Sequence, residues 1–140
     1  MKKGIVIVLS LLPSMFGSVE HSWSVPEQCS FEQHKKQVIS KLIQIESEGK
    51  HDAVGDRGSA IGVLQIRPIM VKEVNRLIGY KKYYQQDRWD SIKSVEMFID
   101  FQELTNPDWD EEIAVRRWNG GIRGENNPKT NYHYIKYSRL

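Results

Sequence analysis

The sequence predicts a mainly α (α+β) domain, with one small loop or β-hairpin insert after its first long helix. Two observations predict it. Apolar residues recur at helical spacing in segments bounded by Pro, Gly or capping residues. Between the first two such segments, residues 49–62 gather Gly49, Gly55, Gly58 and Gly62 with Asp52, Asp56 and Ser59, a composition of turns rather than of helix.

The chain starts with Met1-Lys2-Lys3 and an apolar run from Gly4 to Leu12 broken only by Ser10. A positive start and a short apolar core are the pattern of a secretory signal, whereas crossing a bilayer takes about 20 apolar residues. Residues 1–22 are assigned to a signal peptide, cleaved between 17 and 23. A secreted or periplasmic protein is expected, with no stable membrane insertion after cleavage; the alternative is an uncleaved anchor. Residues 23–30 read as a linker, and 31–140 as one folded domain, long enough to bury a core without cross-links.

Phe31 to Glu48 has a helical pattern, with Ser30 as N-cap and Gln33 as its partner. Val38, Ile39, Leu42, Ile43 and Ile45 form its apolar stripe, and Gly49 ends it. Val63 to Ile66 is a short apolar run, read as a strand. Pro68 opens the next helix, Val71, Val74, Leu77 and Ile78 face inward, and Gly79 stops it. Tyr80 to Asp87 reads as a loop. Asp90 or Ser91 caps a helix to about Leu104, with Val95, Phe98 and Ile99 inward, and Asn106-Pro107 breaks it. Asp110 to Asn119 is a further helix, acidic in its first turn and carrying Arg116 and Arg117 in its last, the order the helix dipole favours. Residues 128–140 make a final aromatic helix with Tyr132, Tyr134, Ile135 and Tyr137.

Composition narrows the function classes. A net charge of +2 with no long basic run argues against a nucleic-acid partner. A mildly basic surface is compatible with an anionic polymer such as cell wall. Cys29 is the single cysteine, so no intrachain disulfide can form, and we read it as inert. The histidines show no metal-ligand spacing, so no metal and no cofactor are expected. The domain is expected to be a monomer.

The strongest chemical signal is Ile45-Glu46-Ser47 followed by the run from Gly55 to Ile66 and then Pro68. A carboxylate at the end of an apolar helix lies near the negative end of the helix dipole, which favours its protonated form. Apolar neighbours act in the same direction, as a general acid requires. Glycines let backbone approach a ligand closely. Gln65 offers both a donor and an acceptor to a sugar hydroxyl or acetamide.

These residues resemble the lysozyme superfamily. The soluble lytic transglycosylases have a helix ending in Glu-Ser, a glycine turn, then Gly-Leu-Met-Gln and a Pro; here Glu46-Ser47, Gly62-Val63-Leu64-Gln65 and Pro68 match. Their Ala-Tyr-Asn-x-Gly motif is matched loosely by Arg117-Trp118-Asn119-Gly120-Gly121. The invertebrate-type lysozymes are similar in part: Asp56-Arg57-Gly58-Ser59 stands for their Asp-x-Gly-Ser, Gly62 to Ile66 for Gly-x-x-Gln-Ile, and Arg116 to Gly124 for Arg-x-x-Asn-Gly-Gly-x-x-Gly. The similarity spans roughly 31–140, but its specificity lies in two short blocks about 50 residues apart. Departures are visible: the invertebrate-type enzymes are rich in disulfides, Trp118 replaces the usual residue before Asn, and the loop from Ala53 to Gly62 is one residue longer than in the transglycosylases.

The resemblance implies roles. Glu46 would be the general acid; the alternative is a helix-end Glu paired with Arg116 or Arg117, and Glu48 is the fallback acid. Asp56 would be the nucleophile or stabiliser of a hydrolase, or else a turn residue. Retaining glycosidases hold two carboxyls about 5 Å apart and inverting ones about 6.5–9.5 Å apart. Without Asp56, one Glu serves as acid and then base, and the sugar's own 6-hydroxyl attacks. Gln65 and Asn119 would bind sugar, although Asn119 before Gly-Gly could instead cap its helix. Trp118 would stack on a pyranose or lie in the core. Ser47 and Ser59 would orient the acid or the loop, and Tyr132 and Tyr134 would line the cleft.

The expected function is therefore cleavage of the MurNAc-GlcNAc β-1,4 bond of peptidoglycan by a lytic transglycosylase or lysozyme, with peptidoglycan glycan strands as partner. The alternative is a catalytically inactive glycan-binding or assembly protein of the cell envelope or a phage particle. Glu46 and Gln65 together favour the enzyme.

Overall fold

A computed structural model describes residues 25–140; the expected signal peptide and its cleavage site lie outside them. The architecture is mainly α, with a small two-stranded antiparallel sheet after the first helix, as the sequence predicts.

Helix α1 runs Val25–Ser47, six residues longer at its start than the pattern from Phe31 suggests. Residues 25–30, read as linker, are its first turns. They contain no glycine, and their one proline, Pro26, sits in the first turn, where a missing N–H breaks no helical hydrogen bond. Pro26 to Ser30 are exposed, so burial does not hold them. Further on, Val38 and Leu42 are fully buried, with Phe31, Ile39, Ile43 and Ile45 packed around the same core. The helix stops where Glu48 and Gly49 both turn left-handed, at φ 55° and 80°. That twist sends Glu48 into solvent, where it pairs with Lys50.

The insert forms β1 (Val54–Gly55) and β2 (Ala60–Ile61), paired antiparallel with Val54 opposite Ile61 and Gly55 opposite Ala60. A 3-10 turn at Asp56–Gly58 joins them. The apolar run Val63–Ile66 is not a strand. It is a tight turn closed by a bridge between Ile61 and Ile66, with Gly62 at φ 78° and Gln65 at φ 47°. Two left-handed residues so close together cannot propagate an extended chain. Burial of Val63, Leu64 and Ile66 holds the turn instead.

Helix α2 (Pro68–Ile78) starts on its proline and ends on Gly79 at φ 91°, whose N–H returns to the Asn75 carbonyl. The segment read as a loop contains a 3-10 turn at Gln85–Trp89. From it Arg88 Nη1 reaches the Ser59 and Ile66 carbonyls at 3.1 Å each, clamping the insert. Helix α3 (Ser91–Thr105) is capped by the Asp90 carboxylate. Its buried face is Met97, Phe98 and Phe101; Val95 and Ile99 flank it.

Helix α4 (Glu111–Gly120) is capped by Asp110 and presents Ala114, Val115 and Trp118 to the core. Trp118 meets Phe98 edge-on, with ring centroids 5.0 Å apart. The segment read as one final helix splits into a 3-10 turn at Pro128–Thr130 and helix α5 (Asn131–Ser138). Tyr137 of α5 is fully buried. Helix α5 packs on both α1 and α4, so the last helix closes against the first.

Candidate active site

The end of α1, the insert, the start of α2, the end of α4 and helix α5 surround one open cleft of about 890 Å³. Glu46, Asp56, Gln65, Trp118 and Asn119 all line it. The two sequence blocks thus come to one place. The indole N–H of Trp118 donates to the Leu64 carbonyl at 3.1 Å, bonding them directly across 54 positions.

Glu46 follows Ile45 on the last turn of α1 and turns into the cleft wall. Its side chain is only 9% exposed. Its partner is neither Arg116 nor Arg117, which pair with Glu112 and Glu125. It is His133 of α5, whose Nε2 lies 2.8 Å from Glu46 Oε1.

Asp56 sits in the turn of the insert at φ 48°. Both Nε and Nη2 of Arg67 donate to its Oδ2, the first at 2.7 Å. The turn uses its backbone instead: the Asp56 carbonyl accepts from the Ser59 N–H and hydroxyl. Gln65 keeps its left-handed backbone because its amide Nε2 donates to the Gly62 and Ala53 carbonyls, at 3.0 and 3.2 Å. Its Oε1 lies against Gly55, where any side chain would collide with it. The Gln65 donor is therefore taken up by the loop, and Oε1 is what the residue can offer a ligand. Asn119 is half-buried inside α4, and its amide makes no hydrogen bond among the described residues. The helix is closed by the Gly121 N–H on the Arg117 carbonyl, so Asn119 is not the cap.

Five further residues take definite places. Ser47 is buried and donates to the Val63 carbonyl at 2.8 Å; it ties α1 to the insert and does not line the cleft. Ser59 is exposed, outside the lining, and spends its hydroxyl on the Asp56 carbonyl. Trp118 belongs to the core at 6% exposure, its ring held edge-on between Phe98 and Phe101, and shows the cleft only a margin. Tyr132 is 71% exposed and outside the lining, because its neighbour His133 takes the inward position and successive helical residues point about 100° apart. Tyr134 packs on the core rather than the cleft.

Several lining residues carried no sequence motif: Arg67, Glu73, Lys129, Thr130, His133 and Lys136. For His133 the only signal is spacing: it lies three residues after Thr130 and four before Tyr137, on the side those two bury, which gives its face but not its partner. Glu73 is the third cleft carboxylate. Its hydrogen bonds to Arg76 hold it below the usual carboxylate range, so it serves as a fixed charge. Among the described residues no three His, Cys, Asp or Glu side chains converge as a metal site would need, and no helix is long and apolar enough to cross a membrane.

The cleft therefore offers a shielded carboxyl bonded on one oxygen, amide groups at two points, and apolar patches at Ile69, Met70 and Ile122. Such a groove can receive a ligand that offers hydroxyls and amides. Compared with protein-family models, with curated proteins and with solved structures, the chain matches none.

Proposed function

We propose that this chain cleaves the MurNAc-GlcNAc β-1,4 bond of peptidoglycan by general acid catalysis from Glu46. One observation carries the reading: the two blocks that resemble the lytic transglycosylases and invertebrate-type lysozymes share a cleft with the Glu46 carboxyl.

With a glycan strand in the groove, Gln65 Oε1 and the Asn119 amide meet hydroxyl or acetamide groups. Glu46 passes a proton to the glycosidic oxygen. The bond from the anomeric carbon to that oxygen breaks, its electron pair stays with the leaving oxygen, and positive charge develops on the sugar ring. The Glu46 carboxylate then takes a proton from the incoming hydroxyl, which restores the acid. Water as the incoming group leaves a reducing end; the sugar's own 6-hydroxyl leaves a 1,6-anhydro end. The Arg67 contacts on Asp56 favour the second course. The guanidinium draws on the negative charge that both Asp56 oxygens share, which makes the carboxylate a poorer nucleophile and lets the acid act alone, as in a lytic transglycosylase. The enzyme would act outside the cytoplasm, as a monomer.

The test is clearance of purified peptidoglycan by the wild type and by Glu46→Gln, with unfolding temperatures compared. Loss of general acid catalysis lowers the rate about 10²–10⁴-fold. Mass spectrometry of the products separates anhydro from reducing ends. A wild type that binds glycan strands and never cuts them would assign the chain to the inactive binding or assembly class.

A further inference from the structure

Each of the three carboxylates lining the cleft has one dedicated basic partner, and the partners differ in kind. Asp56 is held by Arg67 and Glu73 by Arg76. A guanidinium never gives up its charge in a protein, so each of these two stands beside a permanent cation. Glu46 alone faces an imidazole, the one basic side chain whose charge is optional near neutrality. The most shielded carboxyl in the cleft is thus the one held by a histidine.

From this we infer that His133 is the positioning residue for Glu46. It donates its Nε2–H to Oε1, which leaves Oε2 to carry the acid proton toward the cleft. This assignment rests on the glycan-cleavage reading above. The bookkeeping is closed: the proton leaves Oε2 for the glycosidic oxygen, His133 keeps its own proton, and the new carboxylate recovers one from the incoming hydroxyl. The Nε2–H bond strengthens as negative charge develops on Glu46, because a charged acceptor binds a donor more tightly than a neutral one. It therefore stabilises the transition state more than the ground state, which is what raises kcat.

The experiment compares His133→Gln and His133→Phe with the wild type. A glutamine amide can donate in place of Nε2–H but cannot take on charge; phenylalanine can do neither. His133→Phe is expected to lower kcat about 10²-fold, in the range for removing one transition-state donor, with KM changed less than about threefold. His133→Gln is expected to keep kcat within about tenfold, because its amide supplies a donor at the same place. Equal losses of kcat in both variants, or an unchanged kcat in both, would overturn the inference. Thermal unfolding of each variant separates these effects from misfolding. A readout that needs no cleavage is the Nε2–H proton resonance of His133, protected from exchange in the wild type and lost in Glu46→Ala. A wild type that cleaves peptidoglycan without that resonance sinks this inference alone. One that shows the resonance and cleaves nothing sinks the glycan reading, and the catalytic role with it, while the pair stands.

Discussion

The hydroxyl of Ser47 donates to the carbonyl of Val63 at 2.8 Å, and that bond fastens the last turn of α1 to the insert. Ser47 adjoins Glu46 in sequence, so the bond also sets the direction from which the acid enters the cleft. Ser47→Ala leaves the Val63 carbonyl buried without this partner. The expected cost is about 1–2 kcal/mol, read as a lower urea midpoint with the slope unchanged. Cleavage is expected to fall by about tenfold beyond the loss of folded protein, since small misplacements of a reacting group are costly.

Asp56 tests the course of the reaction. With its Oδ2 occupied by Arg67, Asp56→Asn is expected to lower kcat less than about tenfold, equivalent to about 1.4 kcal/mol. The products would keep their anhydro ends by mass spectrometry. A loss of about a thousandfold or more, with reducing ends in the wild-type products, would instead make Asp56 the second carboxylate of a hydrolase.

Glu125 and Arg117 give the fold a dependence on acid. Hydrogen bonds from Arg117 hold the Glu125 carboxyl below the usual carboxylate range. The folded value lies below the unfolded one, so this contribution is fully present above about pH 4.3, where the unfolded carboxyl titrates, and is lost as pH falls through the folded value. The pair is partly shielded, with side chains 18% and 24% exposed for Arg117 and Glu125. Glu125→Gln is expected to cost about 2 kcal/mol at pH 7. Its denaturation midpoint should also change less than that of the wild type between neutral and strongly acidic pH.

Most helix boundaries were legible because their signals are local. Pro68 and Gly79 bracket α2, and Asp90 and Asp110 cap α3 and α4, each acting through the backbone within a turn of itself. The start of α1 was missed because nothing in 25–30 interrupts a helix, and exposure alone does not make a linker. The turn holding Gln65 was read as a strand because its apolar residues are buried together while its backbone is set by two left-handed residues, and only Gly62 announces that in sequence. In the cleft, Glu46, Gln65 and Asn119 could be placed from motif and spacing. Their partners could not. Arg67 beside Asp56 and His133 beside Glu46 are tertiary pairings, the second across 87 positions, and no local periodicity encodes them.

The pairing of the first helix with the last has a consequence for biosynthesis. A polypeptide is made from its amino end, so Glu46 emerges long before His133 and waits, without this partner, until α5 has been synthesised and has docked against α1. On the proposed function, a nascent or prematurely ended chain would carry the acid without the residue that positions it.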